Sequence, residues 1–109
     1  MIARIWHGAT RESDAGEYFE FLKRTGLRDY RALPGNRGVW VLRRTKGGRA
    51  HFLLMSLWDS LDSVRAFAGP DVARARYYPE DDRFLLEKEP TVEHYDVLAG
   101  PGDGARQSS

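Results

Sequence analysis

The heptapeptide Phe52-Leu53-Leu54-Met55-Ser56-Leu57-Trp58 constrains the fold more than any other stretch of the chain. It is apolar but for one serine, and it runs from a Gly-Gly turn to Asp59-Ser60, residues that cap helices. The run therefore reads as a strand. Side chains alternate across a strand, which puts Phe52, Leu54 and Trp58 on one face and Leu53, Met55 and Leu57 on the other. A sheet with helices on one side needs only one apolar face. Two apolar faces predict that the second is covered, and a second copy of the chain is the economical cover. The expectation is a homodimer with sheets packed face to face.

The rest of the chain supplies the elements around this strand. Ile2 to His7 reads as a first strand. Asp14 is placed to cap a helix with Glu17 three residues on. Ala15, Tyr18, Phe19 and Leu22 form its apolar face, and Gly26 suits the left-handed position after its last turn. Gly38 to Arg44 and Ala50 to Trp58 form a hairpin through Lys46-Gly47-Gly48. A helix follows from about Leu61 to Ala68, ended by Gly69-Pro70, and a second helical piece is expected from Asp71 to just before Pro79. Pro79 to Asp82 reads as a helical turn, Phe84 to Leu86 is either extended or helical, and Thr91 to Leu98 alternates as a last strand. The order β-α-β-β-α-β predicts an α+β, ferredoxin-like antiparallel sheet with both helices on one face. Residues 1–98 form the domain, and 99–109 read as a disordered tail.

Composition removes whole classes of function. Seventeen basic and sixteen acidic residues leave a net charge of +1, without the basic excess of nucleic-acid binders. No apolar run approaches the roughly 18 residues that span a bilayer, and MIARIWHG has no secretory pattern. The absence of cysteine excludes disulfides, thiolate nucleophiles and cysteine metal sites. A soluble cytoplasmic domain with neither nucleic-acid nor membrane partner is expected. No phosphate-loop glycine motif and no GxSxG occurs. The three histidines show no metal-ligand spacing, so neither a metal nor another cofactor is expected.

Leu57-Trp58-Asp59-Ser60, Arg65-Ala66-Phe67-Ala68-Gly69, Tyr77-Tyr78-Pro79-Glu80-Asp81 and Val92-Glu93-His94-Tyr95, with the order of elements, resemble the antibiotic biosynthesis monooxygenase domain family. The resemblance covers residues 1–98 and implies a dimeric α+β barrel. The family mixes cofactor-free quinone-forming oxygenases with haem-degrading enzymes. Trp58 matches the tryptophan after the third strand that shapes the pocket over a flat aromatic ligand. Haem-degrading members pair it with an iron-ligating histidine on the next helix, but Leu61 to Tyr77 holds no histidine. They also use an asparagine near the end of the first strand, where this chain has Trp6-His7. Cofactor-free members place polar groups on the third strand, where this chain has only Ser56.

A cofactor-free oxygenase needs a flat apolar pocket and a base that ionises a phenol, and histidine suits neutral pH. His7, at the end of the first strand, is the candidate base; the bland alternative is an imidazole satisfied by a backbone carbonyl. Trp58 is the candidate catalytic pocket wall or else a core aromatic. Trp6, Tyr77, Tyr78 and His94 are the candidate substrate contacts. The tyrosines either lid the pocket or pack the irregular segment, while His94 faces the pocket or, preferably, the subunit interface. His51, beside the Gly-Gly turn, reads as solvated. The expected function is cofactor-independent monooxygenation of a flat aromatic or polyketide-type molecule. A non-catalytic dimer binding an apolar metabolite is the alternative. Haem binding is a third reading, disfavoured by the missing helix histidine.

Overall fold

Gly47 and Gly48, with φ angles of 61° and 76°, make the primed turn that follows strand twist and that residues bearing a Cβ resist. The turn joins β2 (Asn36–Lys46) to β3 (Arg49–Trp58), and pairing runs regularly from Lys46 opposite Arg49 to Gly38 opposite Leu57. β1 (Ile2–Arg11) lies antiparallel along the other edge of β3, from Ile2 opposite Trp58 to Arg11 opposite Arg49. The computed structural model describes residues 1–100. The tail expected from residue 99 falls, beyond Gly100, outside the described residues.

The far edge of β1 is shared by two short strands. β4 (Leu85–Lys88) pairs with Gly8 to Thr10, and β5 (Glu93–Asp96) pairs with Ile2 to Ile5. The sheet order is thus β2-β3-β1 with a fourth lane split between β4 and β5. Four helices complete the described residues: α1 (Ala15–Arg24), α2 (Gly26–Ala32), α3 (Leu61–Ala68) and α4 (Asp81–Phe84). Together they form the expected α+β, ferredoxin-like arrangement.

Alternation sorts the sheet into two faces. Ala50, Phe52, Leu54, Ser56 and Trp58 of β3 are all buried, and Arg4 and Trp6 lie beside them on β1. This face packs against Tyr18, Phe21 and Leu22 of α1, Tyr30 of α2 and Val64 and Phe67 of α3 in one apolar core. Tyr18 and Phe52 meet edge-on at 5.1 Å, and Tyr30 meets Trp58 edge-on at 6.0 Å, geometries that aromatic quadrupoles favour. The other face leaves Trp40, Leu42, Leu53 and Tyr95 exposed.

Several local expectations are corrected. Phe19 is exposed and Phe21 takes its place in the core, because the buried stripe of α1 centres on Tyr18 and Leu22; Lys23 Nζ sits 5.0 Å over the Phe19 ring instead. Asp14 makes no side-chain cap, since a 3-10 turn over Glu12–Asp14 leads into α1. Gly26 opens α2 rather than ending α1 in the left-handed region. The helix expected from Asp71 does not form. Its backbone bonds instead to the segment before β5, Ala75 N to Pro90 O at 2.9 Å and Val92 N to Ala73 O at 2.8 Å. Ser60 does cap α3, accepting from Ser63 N at 3.3 Å, and Gly69 at φ 86° ends it.

Asp81 is buried, its Oδ2 accepts from Tyr78 N at 2.6 Å, and burial holds its carboxyl above the usual 3.8. A carboxyl raised on folding costs stability as pH climbs from its unfolded value through its folded one. Asp81→Asn keeps the acceptor and removes that cost. Its melting temperature relative to wild type should therefore improve as pH rises from 3 to 7, while Asp81→Ala, losing the acceptor at about 1–3 kcal/mol, melts lower throughout. An Asn variant as damaged as Ala at pH 7 would contradict this.

Candidate functional site

The open face of the sheet carries an unusual concentration of ionisable groups at the hairpin end. Register places His7 opposite Leu53 and His51 opposite Ala9, while Glu87 lies opposite Ala9 on the other side. All three therefore project from the same face. Ala9 is fully buried, and its small side chain lets its neighbours close over it. The His7 and His51 rings stack with centroids 5.3 Å apart and planes 17° apart, and His7 Nε2 lies 3.1 Å from His51 Nδ1. Glu87 Oε2 stands 3.8 Å from His7 Nε2 and 4.0 Å from His51 Nδ1. Its other oxygen accepts from Arg49 Nη1 at 3.0 Å.

Glu89 fixes the tautomer of His7. Its Oε1 lies 2.9 Å from His7 Nδ1, and a carboxylate only accepts, so Nδ1 carries the proton and Nε2 of the neutral ring presents a lone pair. That lone pair faces His51. Both imidazoles border a cleft of about 640 Å³ that also includes Leu42, Leu53, Arg44 and Lys46. The volume is in the range of small-molecule sites, and an apolar floor with a few converging polar groups is their usual make-up.

Around Trp58 the helix-covered face is tightly packed. Trp58 has no exposed surface; its Nε1 donates to Ser56 Oγ at 2.9 Å and its ring lies 6.0 Å from Phe67. Trp6 Nε1 donates to Tyr77 Oη at 3.1 Å, and the Tyr77 hydroxyl donates to the carbonyl of Glu89. The Tyr78 hydroxyl donates to Asp29. Burial pushes both tyrosine hydroxyls above their ordinary pKa, with Asp29 adding to the rise at Tyr78, so both remain donors. Trp6, Tyr77 and Tyr78 border a void of only about 30 Å³, which suits a water molecule. His94 lies across from Arg4, and burial, then the Arg4 charge, lowers its pKa. Arg4 donates from Nη2 to Arg74 O at 3.1 Å, while its Nε and Nη1 find no partner among the described residues.

The structure therefore brings Trp6, Tyr77 and Tyr78 together but separates them, with Trp58 and His94, from His7 by the thickness of the sheet. Within one protomer His7 and Trp58 do not share a pocket. His94, in register with Arg4, lies on the helix side of the sheet and not on the open face. His51 is half-buried against His7 and is not a solvated side chain. Glu87, Glu89 and His51 escape a reading of the sequence because their meeting with His7 depends on strand pairing, with Glu87 and His51 on flanking strands and Glu89 one residue beyond β4.

No protein-family model and no curated protein matches the chain. Solved structures do. A Nitrosomonas europaea protein provisionally described as an antibiotic biosynthesis monooxygenase superposes with a TM-score of 0.63 at 17% identity, covering 91% of this chain and 100% of that one. A second Nitrosomonas europaea protein, of unknown function, gives 0.64 at 16% identity over 91% of this chain and 90% of that one. The haem degrader MhuD of Mycobacterium tuberculosis, solved with two haems in its active site, gives 0.56 at 21% identity over 92% and 98%. The chain thus has the fold of the antibiotic biosynthesis monooxygenase structures.

The division of faces has a direct test. Trp58→Ala should lower unfolding free energy by about 3–5 kcal/mol in urea titrations, as for buried aromatics elsewhere. His7→Ala, at the half-buried cleft, should cost under about 1 kcal/mol. Equal losses would mean that His7 is a core residue.

Proposed function

We propose that the chain is a homodimeric, cofactor-independent monooxygenase-like protein that takes a flat aromatic phenol into the open-face cleft, with His7 as the base. The observation that carries this reading is the His7 tautomer. Glu89 holds Nδ1–H at 2.9 Å, which makes Nε2, facing His51 Nδ1 at 3.1 Å on the border of the cleft, the atom able to take a proton once a ligand displaces that contact. Leu42 and Leu53 offer an apolar surface to a ring, and Arg44 and Lys46 favour the phenolate that proton transfer would create. An electron-rich phenolate can reduce dioxygen directly. One oxygen atom becomes the new quinone carbonyl, and the other leaves as water with the hydrogens of the oxidised positions. In this reading Trp58 acts through the core, as the support of β3 rather than as a surface touching the ligand.

A dimer would complete the same site. Trp40, Leu42, Leu53 and Tyr95 are each 38–56% exposed on the open face, and a second sheet laid over them would bury this apolar surface and enclose the cleft. A haem-related role has less in its favour. Trp58 and its α3 neighbour Phe67 fill the space between sheet and helices, and Phe67 has no atom able to ligate iron.

Oxygen uptake by tag-free, chelator-treated protein with hydroquinones and naphthols tests the proposal. Uptake above the protein-free rate is expected, falling about 10²–10⁴-fold in His7→Ala, the usual worth of a general base. Light scattering should give twice the chain mass, reduced to one chain mass in Leu53→Glu. A monomeric wild type with no uptake across the panel would overturn the reading.

A further inference from the structure

Three ligand-type atoms from three strands meet at the edge of the cleft: His7 Nε2 from β1, His51 Nδ1 from β3 and Glu87 Oε2 from β4. All lie within 4.8 Å of one another. Nitrogens bound at about 2.1 Å to a divalent ion stand roughly 3.0–3.4 Å apart at octahedral or tetrahedral angles. The His7–His51 separation of 3.1 Å matches that spacing, and an ion would replace the proton that His51 Nδ1 shares with His7 Nε2, with His51 shifting to the tautomer protonated at its other nitrogen. Glu87 Oε2, at 3.8 Å and 4.0 Å from the two nitrogens, has about half an ångström to close to reach tetrahedral spacing.

We propose that His7, His51 and Glu87 form a binding site for a first-row divalent transition-metal ion such as Zn²⁺, with its remaining coordination positions open to the cleft. Two imidazoles and one carboxylate select this class over Mg²⁺ or Ca²⁺, which prefer oxygen ligands throughout. The surroundings are those of a ligand set already held in place. Glu89 bonds the remote nitrogen of His7, the arrangement that orients histidine toward a metal and raises its basicity. Arg49 occupies Glu87 Oε1 and leaves Oε2 to the histidines. Ala9, between His51 and Glu87 in the pairing, keeps the centre of the triangle clear of side-chain bulk.

The site goes beyond the oxygenase reading and does not rest on it, since an ion needs no aromatic substrate to bind. The two do share one lone pair. An ion on His7 Nε2 removes the base, so the metal would inhibit the cofactor-free reaction and a chelator would restore it. Failure of the oxygenase reading leaves ion binding measurable, and failure of ion binding leaves the base intact.

The test uses the full, tag-free chain stripped of metal. Calorimetry with Zn²⁺ and visible absorption with Co²⁺ should each give one ion per chain. His51→Ala and Glu87→Gln should each weaken binding at least tenfold, and Glu89→Gln about 10–100-fold, with circular dichroism confirming folded variants. Absence of binding, or His51→Ala binding at wild-type affinity, overturns the proposal. Should a variant not fold, electron paramagnetic resonance of Cu²⁺ on the unaltered protein decides: coupling to two imidazole nitrogens supports the site, and coupling to fewer contradicts it.

Discussion

The register between β1 and β3 is the constraint on which the molecule depends. Ile2 faces Trp58 and Arg11 faces Arg49, and each pair in between sends matching side chains to the same side of the sheet. A slip by one residue would exchange the faces of a strand completely. It would send His7 into the apolar core and turn Trp6 outward. The register is held by burial on one side, where Trp6, Phe52, Leu54 and Trp58 must stay under the helices. It is also held by the Gly47-Gly48 turn, which sets how β3 enters the sheet. The positions of His7 and His51 follow from these apolar demands.

The two faces then serve different ends. On the helix side, aromatic rings pack edge to face, and the space bordered by Trp6, Tyr77 and Tyr78 is only about 30 Å³. The polar groups trapped there mostly satisfy one another: Trp58 with Ser56, Trp6 with Tyr77, Tyr78 with Asp29. Arg4 and the Nε2 of His94 depart from this pattern, Arg4 as a buried cation with one backbone acceptor and with Phe67 at 5.5 Å under its guanidinium. On the other side none of the described residues covers Leu42, Leu53 or Trp40. The histidines sit at the border between that apolar surface and the charged hairpin end.

Much of the fold was legible in the residues. Gly-Gly marked the hairpin, Ser60 and Gly69 bounded α3, and the apolar run from Phe52 announced a strand with two apolar faces. Where reading failed, tertiary contacts had overridden local signals. Gly26 resembles a helix terminator, yet it begins α2, whose Leu27 and Tyr30 are buried. The stretch after Asp71 has helical composition, but Ala73 and Ala75 bond to the segment before β5. The site was less legible still. His7 and His51 are 44 positions apart, and no spacing rule joins them to each other or to Glu87. Only the register of three strands does so. The same register shows that Trp58, the most visible aromatic in the sequence, belongs to the opposite face.

The central claim, that ligand chemistry occurs on the His7 face and not beside Trp58, is tested most directly by nuclear magnetic resonance of the imidazole and indole groups during titration with a dihydroxynaphthalene. The account predicts that the ring signals of His7 and His51 move with ligand concentration while the Trp58 Nε1–H signal stays in place. Movement of Trp58 with both histidines unchanged would contradict it.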